Sequence, residues 1–241
     1  MLTLFQKGFN YSQDGPGNRL VYHLKGCNMR CPWCSNPEGI FGNRGHSETI
    51  STEAIVAEIM SCRPMFFDGG GVTFTGGEAT LQFDEVKEIL GILQARQIHT
   101  VIETNATSPR LPELFPLLNC LIADLKHPND ETHQMITGIS NKRILQNITL
   151  AVESNVELLI RIPMIGGFNT DEKTLQEFAD FFSTLTTQNI RLEMLTYHEY
   201  GRDKWKKLSL PYTMKNAQVK ESTRRHFEDT FTALGLTVVR T

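Results

Sequence analysis

Leu20-Val21-Tyr22-His23-Leu24-Lys25-Gly26-Cys27-Asn28-Met29-Arg30-Cys31-Pro32-Trp33-Cys34 carries an apolar run straight into three cysteines. Its first five residues read as a strand closed by the turn signal of Gly26. The rest places three soft ligands at that strand's end, with three residues and then two between them. Thiolates so closely spaced suit zinc or an iron–sulfur cluster. A closed structural zinc site takes four ligands, and the nearest spare candidates, His46 and Cys62, stand at no familiar spacing. Residue chemistry alone leaves three readings open: a cluster, zinc, or buried thiols without a ligand.

Outward from this stretch, short apolar runs alternate with amphipathic segments, the pattern of strand-helix units closing a parallel sheet. After residues 20–24, strands are expected at 72–75, 100–103, 121–124, 158–162 and 192–195, with a last one at 236–239. Val86, Ile89, Leu90 and Leu93 follow the spacing of a helix with one buried face, with Asp84 placed to cap it. Ile144 to Val152 and Leu175 to Phe182 mark two more helices, and the Phe227, Phe231, Leu234 stripe stops at Gly235. The expected class is α/β, and six units are too few for an eight-unit barrel. The sheet therefore stays open or forms a partial (β/α)6 TIM-like barrel. Ligands collect at the carboxyl ends of such strands. There the sequence sets Gly76-Gly77-Glu78, Thr104-Asn105, Lys126-His127, Pro163 and Tyr197-His198, which are expected to share one rim.

Composition narrows the function. The 24 basic and 27 acidic side chains among 241 residues leave a net charge of −3 with no long run of either sign, so neither nucleic acid nor an anionic membrane is an expected partner. No stretch approaches the length of a membrane span and the start shows no leader pattern, so a soluble cytoplasmic protein is expected. Five cysteines, three of them within eight residues, make no disulfide framework.

The pattern Cys27-x3-Cys31-x2-Cys34, with Trp33 before the last thiolate, resembles the signature of the radical S-adenosylmethionine superfamily. Further along, Asp14-Gly15-Pro16-Gly17, Val72 to Ala79, Asp124-Leu125-Lys126 and Tyr197 to Trp205 together resemble the glycyl radical enzyme activating enzymes, in order and in spacing. This likeness covers nearly the whole chain and implies a single radical S-adenosylmethionine domain over residues 1–241. It also implies a 4Fe-4S cluster on Cys27, Cys31 and Cys34 whose fourth iron takes the amino and carboxylate groups of S-adenosylmethionine.

The resemblance gives several unremarkable residues a role. Gly76-Gly77-Glu78 would pass as a tight strand-to-helix turn; in the family this loop takes the methionine amino group. Asp124 and Lys126 share a strand face and would pass as a solvated edge pair; in the family, the matching residues lie against the cofactor, as do those at Leu125 and His198. Trp33, Cys34 and Ser35 lie close to it by the same likeness. Arg161, costly to bury inside an apolar strand, is expected near the cofactor carboxylate. Glu103-Thr104 stands where the family has an Asp-Thr pair beside a monovalent cation. Asp14 belongs to a turn that in activating enzymes neighbours the peptide bearing the target glycine. Cys62 and Cys120 read as ordinary buried thiols.

The implied reaction takes an electron from a flavodoxin or ferredoxin and cleaves S-adenosylmethionine reductively to a 5′-deoxyadenosyl radical. That radical removes a hydrogen atom from a glycine of a glycyl radical enzyme. No side chain is needed as general acid or base. Ser35-Asn36-Pro37-Glu38 resembles activators that carry an inserted cysteine-rich ferredoxin-like stretch, which this chain lacks; in that it resembles the activators of pyruvate formate-lyase type. Two rival readings share the cysteines: a radical S-adenosylmethionine enzyme acting on a small metabolite, and a non-catalytic zinc or iron–sulfur binding module.

Overall fold

A computed structural model describes residues 1–41, 45–154, 156–185 and 190–240 of the protein. Among these residues nine strands form one sheet: β1 (Leu2–Tyr11), β2 (Asn18–Leu24), β3 (Glu48–Ile50), β4 (Gly71–Gly76), β5 (His99–Thr104), β6 (Cys120–Asp124), β7 (Glu157–Met164), β8 (Ile190–Thr196) and β9 (Thr237–Val239). Their spatial order is β3-β1-β2-β4-β5-β6-β7-β8-β9, so each new parallel strand is laid beside the last. Every pairing from β2 to β9 is parallel, while β1 runs antiparallel to both β2 and β3. The edges β3 and β9 do not meet, so the barrel is partial.

Eight α-helices accompany the described strands: α1 (Pro37–Ile40), α2 (Thr52–Ser61), α3 (Phe83–Ala95), α4 (Asp130–Thr137), α5 (Lys142–Glu153), α6 (Glu172–Ser183), α7 (Arg202–Lys207) and α8 (Glu221–Ala233). Ser51, Asn129 and Asp171 cap α2, α4 and α6 by accepting backbone N–H bonds in the first turn. At the end of α8, Gly235 takes φ 82°, and Leu236 N–H reaches back to the Phe231 carbonyl at 3.1 Å, closing the helix where the sequence stripe stops. The expected cap at Asp84 is not formed. A 3-10 turn, Ala79–Gln82, leads directly into α3, so the helix begins at Phe83 and Asp84 falls inside its first turn. There its carboxylate faces the helix dipole favourably and pairs with Arg110 at 2.9 Å.

Strand periodicity divides the sheet into two faces. Outward residues such as Tyr22, Phe74, Ile102, Leu121, Ile160 and Leu192 pack with Val86, Ile148, Phe178 and Phe231 of the helices in the main core. Each such side chain, fully buried, contributes about 1.5–3 kcal/mol. Inward residues form a small apolar floor of Val101, Cys120, Ile122 and Leu159. Above that floor, towards the carboxyl ends, inward positions turn polar, with His23, Thr75, Glu103, Asp124, Arg161 and Glu193. No helix among the described residues is long and apolar enough to cross a membrane.

Candidate active site

The cysteine loop begins where β2 ends and is pinned by backbone at close range. Gly26 N–H donates to Gly39 O at 2.8 Å, Glu78 N–H to Gly26 O at 2.7 Å, and Gly77 N–H to Leu24 O at 2.9 Å. A Cβ on Gly77 would lie 2.1 Å from Gly26 O, and one on Gly76, at φ +120°, would lie 2.3 Å from Leu24 N. Both positions therefore need glycine for backbone packing, before any ligand is considered. Farther along the loop, Arg30 N–H donates to Thr137 O of α4 at 2.8 Å, and Asn28 Nδ2 to Thr107 Oγ1 at 2.8 Å.

The far end of the loop is clasped by a segment 171 residues later. Trp205 Nε1 of α7 donates to Cys34 O at 2.8 Å. Lys204 Nζ donates to Asn36 Oδ1 at 2.8 Å and pairs with Glu38 at 3.1 Å. Gly201 lies so close that a Cβ there would stand 2.5 Å from the same Cys34 carbonyl. The three thiols are thus fixed from both sides, and all three line one cavity of about 260 Å³.

Burial pushes the Cys27 thiol up to about 11 and the Cys34 thiol up to about 12, and raises Cys31 as well. N–H donors nevertheless face two sulfurs: Met29 N–H at 3.4 Å from Cys27 Sγ and Asn36 N–H at 3.3 Å from Cys34 Sγ. Such donors offset negative charge on a coordinated thiolate, and metal ligation itself removes the thiol proton. Among the described residues, no three His, Cys, Asp or Glu side chains converge as a single metal ion requires. The three thiols line one cavity, and soft thiolates without a fourth protein ligand there suit an iron–sulfur cluster.

The same cavity is lined by Asp14, Trp33, Ser35, Gly76, Gly77, Glu103, Thr104, Asp124, Lys126 and His198, so most of the residues singled out in the sequence come together. Asp124 and Lys126 form an ion pair at 2.7 Å with side chains only 21% and 10% exposed, a buried pair rather than a solvated edge. Burial opposes the lysine charge, but Asp124 and the nearby thiols outweigh it and hold Lys126 above the usual lysine range. His198 stacks on Tyr200 with centroids 4.1 Å apart, and burial lowers its pKa. Asp14 reaches the cavity from the β1–β2 loop, where Asn10 Nδ2 donates to its carboxylate and Thr73 Oγ1 donates to its carbonyl at 2.7 Å. The loop's turn needs Gly17, at φ +63°, because a Cβ there would stand 2.3 Å from Asp68 O.

Three of the singled-out residues lie outside the cavity wall. Glu78 is 1% exposed, and its carboxylate accepts from Thr80 N–H at 2.9 Å, Thr104 Oγ1 at 2.6 Å and Asn105 N–H at 2.7 Å. It ties the β4 loop to the end of β5. Leu125 is fully buried on the helix side of the sheet. Arg161 points inward as expected, but its anionic partners are protein carboxylates: Glu193 at 2.8 Å from Nε and Glu103 at 2.8 Å from Nη1. Its remaining nitrogen donates to Gln13 O in the loop that carries Asp14. Glu103 is held twice, accepting also from Thr75 Oγ1 at 2.9 Å. Of the two lone cysteines, Cys120 is buried and Cys62 half-buried.

Sequence reasoning passed over His23 and Thr75 on the cavity wall, and Glu193 beneath it. The rule that exposed Arg161, a polar residue at an inward position of an apolar strand, applies equally to His23 and Glu193.

Comparison with known proteins follows the same lines. Residues 21–181 match the Radical SAM superfamily. The chain is 33% identical over 207 residues to a pyruvate formate-lyase 1-activating enzyme of Escherichia coli (strain K12), covering 83% of this chain and 82% of that protein. It is 27% identical to the (2S)-3-sulfopropanediol dehydratase activating enzyme of Klebsiella oxytoca, covering 89% and 88% of the two; that alignment runs to 279 positions against 241 residues here, so inserted residues separate the two proteins. Among solved structures, a domain of a pyruvate-formate lyase-activating enzyme from Bacteroides vulgatus superposes with a TM-score of 0.59 at 28% identity, covering 71% of this chain and 98% of that one. A radical SAM methyltransferase from Sphaerobacter thermophilus, at 15% identity and TM-score 0.68 over 96% of this chain and 67% of that one, shares the fold.

Proposed function

We propose, from the premise that this chain belongs to the radical SAM superfamily and to its activating enzymes, that it installs a glycyl radical on a partner of the pyruvate formate-lyase type. The family implies a 4Fe-4S cluster and S-adenosylmethionine. The observation that carries the reading is the convergence of three thiols, the Gly76-Gly77 backbone and the charged pair Asp124–Lys126 on one cavity. Bound there, the two groups would supply one-electron cleavage of the sulfonium C–S bond, release of methionine, and transfer of a glycine hydrogen to the adenosyl carbon.

The chain's own residues hold and exclude. Cys27, Cys31 and Cys34 would hold three irons. Gly76 and Gly77 line the cavity with backbone whose carbonyls would suit a cationic amino group, and Lys126 offers a fixed positive charge to a carboxylate. His198 and Tyr197 border the cavity from the β8 loop, and Trp33 and Ile165 restrict water. Glu103 already spends its carboxylate on Arg161 and Thr75, which argues against a monovalent cation beside it. Nothing in this arrangement transfers a proton, and no general acid or base is assigned. The electron would come from a flavodoxin or ferredoxin, in the cytoplasm.

The test is anaerobic reconstitution with iron and sulfide, reduction with dithionite, and assay of 5′-deoxyadenosine formed from S-adenosylmethionine. The expected result is cluster-dependent product and, with pyruvate formate-lyase added, a glycyl radical signal in electron paramagnetic resonance. Zinc in the site and no product would refute the reading.

A further inference from the structure

His23 stands on the inward face of β2, between the outward Tyr22 and Leu24, and lines the cavity beside Cys27 and Glu103. Its surroundings differ from those of the other polar groups there. Glu103, Asp124, Thr104 and Asn105 are already committed to protein partners, whereas the imidazole of His23 makes no hydrogen bond among the described residues. Among the described residues its Nδ1 is buried and has no hydrogen-bond partner. A buried polar atom without a partner is costly and calls for an explanation. The ring rests against Phe5 with centroids 5.7 Å apart.

Its position indicates which ligand would use it. In register, His23 faces Gln6 of β1. That flank of the sheet is open: Gln6 and Gly8 are exposed, nothing stands within 4 Å of a Cβ built on Gly8, and β3 covers β1 only from Leu2 to Leu4 among the described residues. A glycine in an open strand is a place where another backbone can approach closely. The charged pair suited to a zwitterionic cofactor, Asp124 at the end of β6 and Lys126 just past it, lies three strands away across the sheet, while of the cofactor-facing groups only the Gly76-Gly77 backbone at the end of β4 adjoins β2. Burial lowers the pKa of His23, so it faces the cavity as a neutral ring that can donate or accept. A neutral ring suits a neutral amide better than a carboxylate or a sulfonium.

We infer that His23 is a substrate-recognition residue, whose imidazole hydrogen-bonds a backbone amide of the partner's glycine-bearing segment as that segment enters over the open β1 flank. The inference rests on the activating-enzyme reading. Its test uses the reconstituted holoenzyme and a synthetic heptapeptide centred on the radical glycine of pyruvate formate-lyase, with dithionite as reductant. His23→Phe keeps the ring's bulk and is expected to raise KM for the peptide about threefold to tenfold, the loss of one neutral hydrogen bond, with a smaller effect on kcat. His23→Gln, which restores a donor and an acceptor, is expected to recover most of that KM. Iron content and the dissociation constant of S-adenosylmethionine are measured for each variant. A peptide KM within twofold of wild type in a fully loaded His23→Phe enzyme overturns the inference, as does a loss confined to cofactor binding. Failure of the wild-type enzyme to form 5′-deoxyadenosine at all would instead overturn the activating-enzyme reading on which it rests.

Discussion

Single residues carry the chemistry, and two of them make separable predictions. Cys31 is the most buried of the three loop thiols, and its replacement removes a ligand no neighbour can supply, because Cys62 and Cys120 do not line the cavity. Cys31→Ala is expected to abolish both cluster absorbance and cofactor cleavage; retention of either after anaerobic reconstitution would contradict the assignment. Arg161 acts on stability instead. Arg161→Met removes the guanidinium that both Glu103 and Glu193 bond, a change expected to cost about 3–5 kcal/mol. Burial already raises the Glu103 carboxyl, with Arg161 opposing, so its removal lifts that pKa further. A carboxyl whose folded pKa lies above its unfolded value, about 4.3, binds more protons when folded, and stability falls as pH rises through that window. The deficit in melting temperature is therefore expected to be larger at pH 8 than at pH 5.5. These residues were legible in the sequence to different depths. The cysteines stood out by spacing alone. Arg161 stood out as an anomaly, but its partners lie 58 and 32 residues away on other strands, where no local pattern reaches.

Elements show the same divide. The parallel strands and the helices α3, α5, α6 and α8 were readable because each buries one face against a single core, which leaves period-2 and helical signals in the chain. Strands β1 and β3 left none: β1 is buried at its start and exposed from Gln6 to Phe9, since only its first residues lie under the helices. The helices α2 and α4 likewise went unread, α4 because it buries little more than His133 and Thr137. The element that most affects the site is α7, six residues long and four of them basic, which no periodicity marks. Its role is to clasp the cysteine loop. Gly201→Ala would drive a methyl into the Cys34 carbonyl and push α7 away. The expected outcome is a reconstituted protein with at least twofold less iron and near-native far-ultraviolet circular dichroism; full iron loading would show that the clasp is dispensable.

The molecule is a sheet whose parallel strands lie side by side in chain order, with β1 and β3 added antiparallel at one edge, helices on the outward face, and polar groups above an apolar floor on the inward face. The alternation of strand and helix signals made the α/β class legible, while the strand order did not show in the sequence, which left an open sheet and a partial barrel both standing. The open flank at β1 was not legible, because it depends on where pairing stops. With three clustered cysteines and two remote ones, the chain has ligands for one cluster, and chemical analysis after reconstitution is expected to give about four irons per chain, as for a single [4Fe–4S] centre. Values near eight would point to a second cluster. The clasp between Cys34 and Trp205 also has a meaning in time. On a ribosome adding about 5–20 residues per second, the loop appears roughly 10–35 s before the helix that locks it, given their separation of 171 residues. Throughout that interval the nascent thiols are made but not yet held from the α7 side, so a chain cut short before Gly201 is expected to carry its cysteine loop without that clasp.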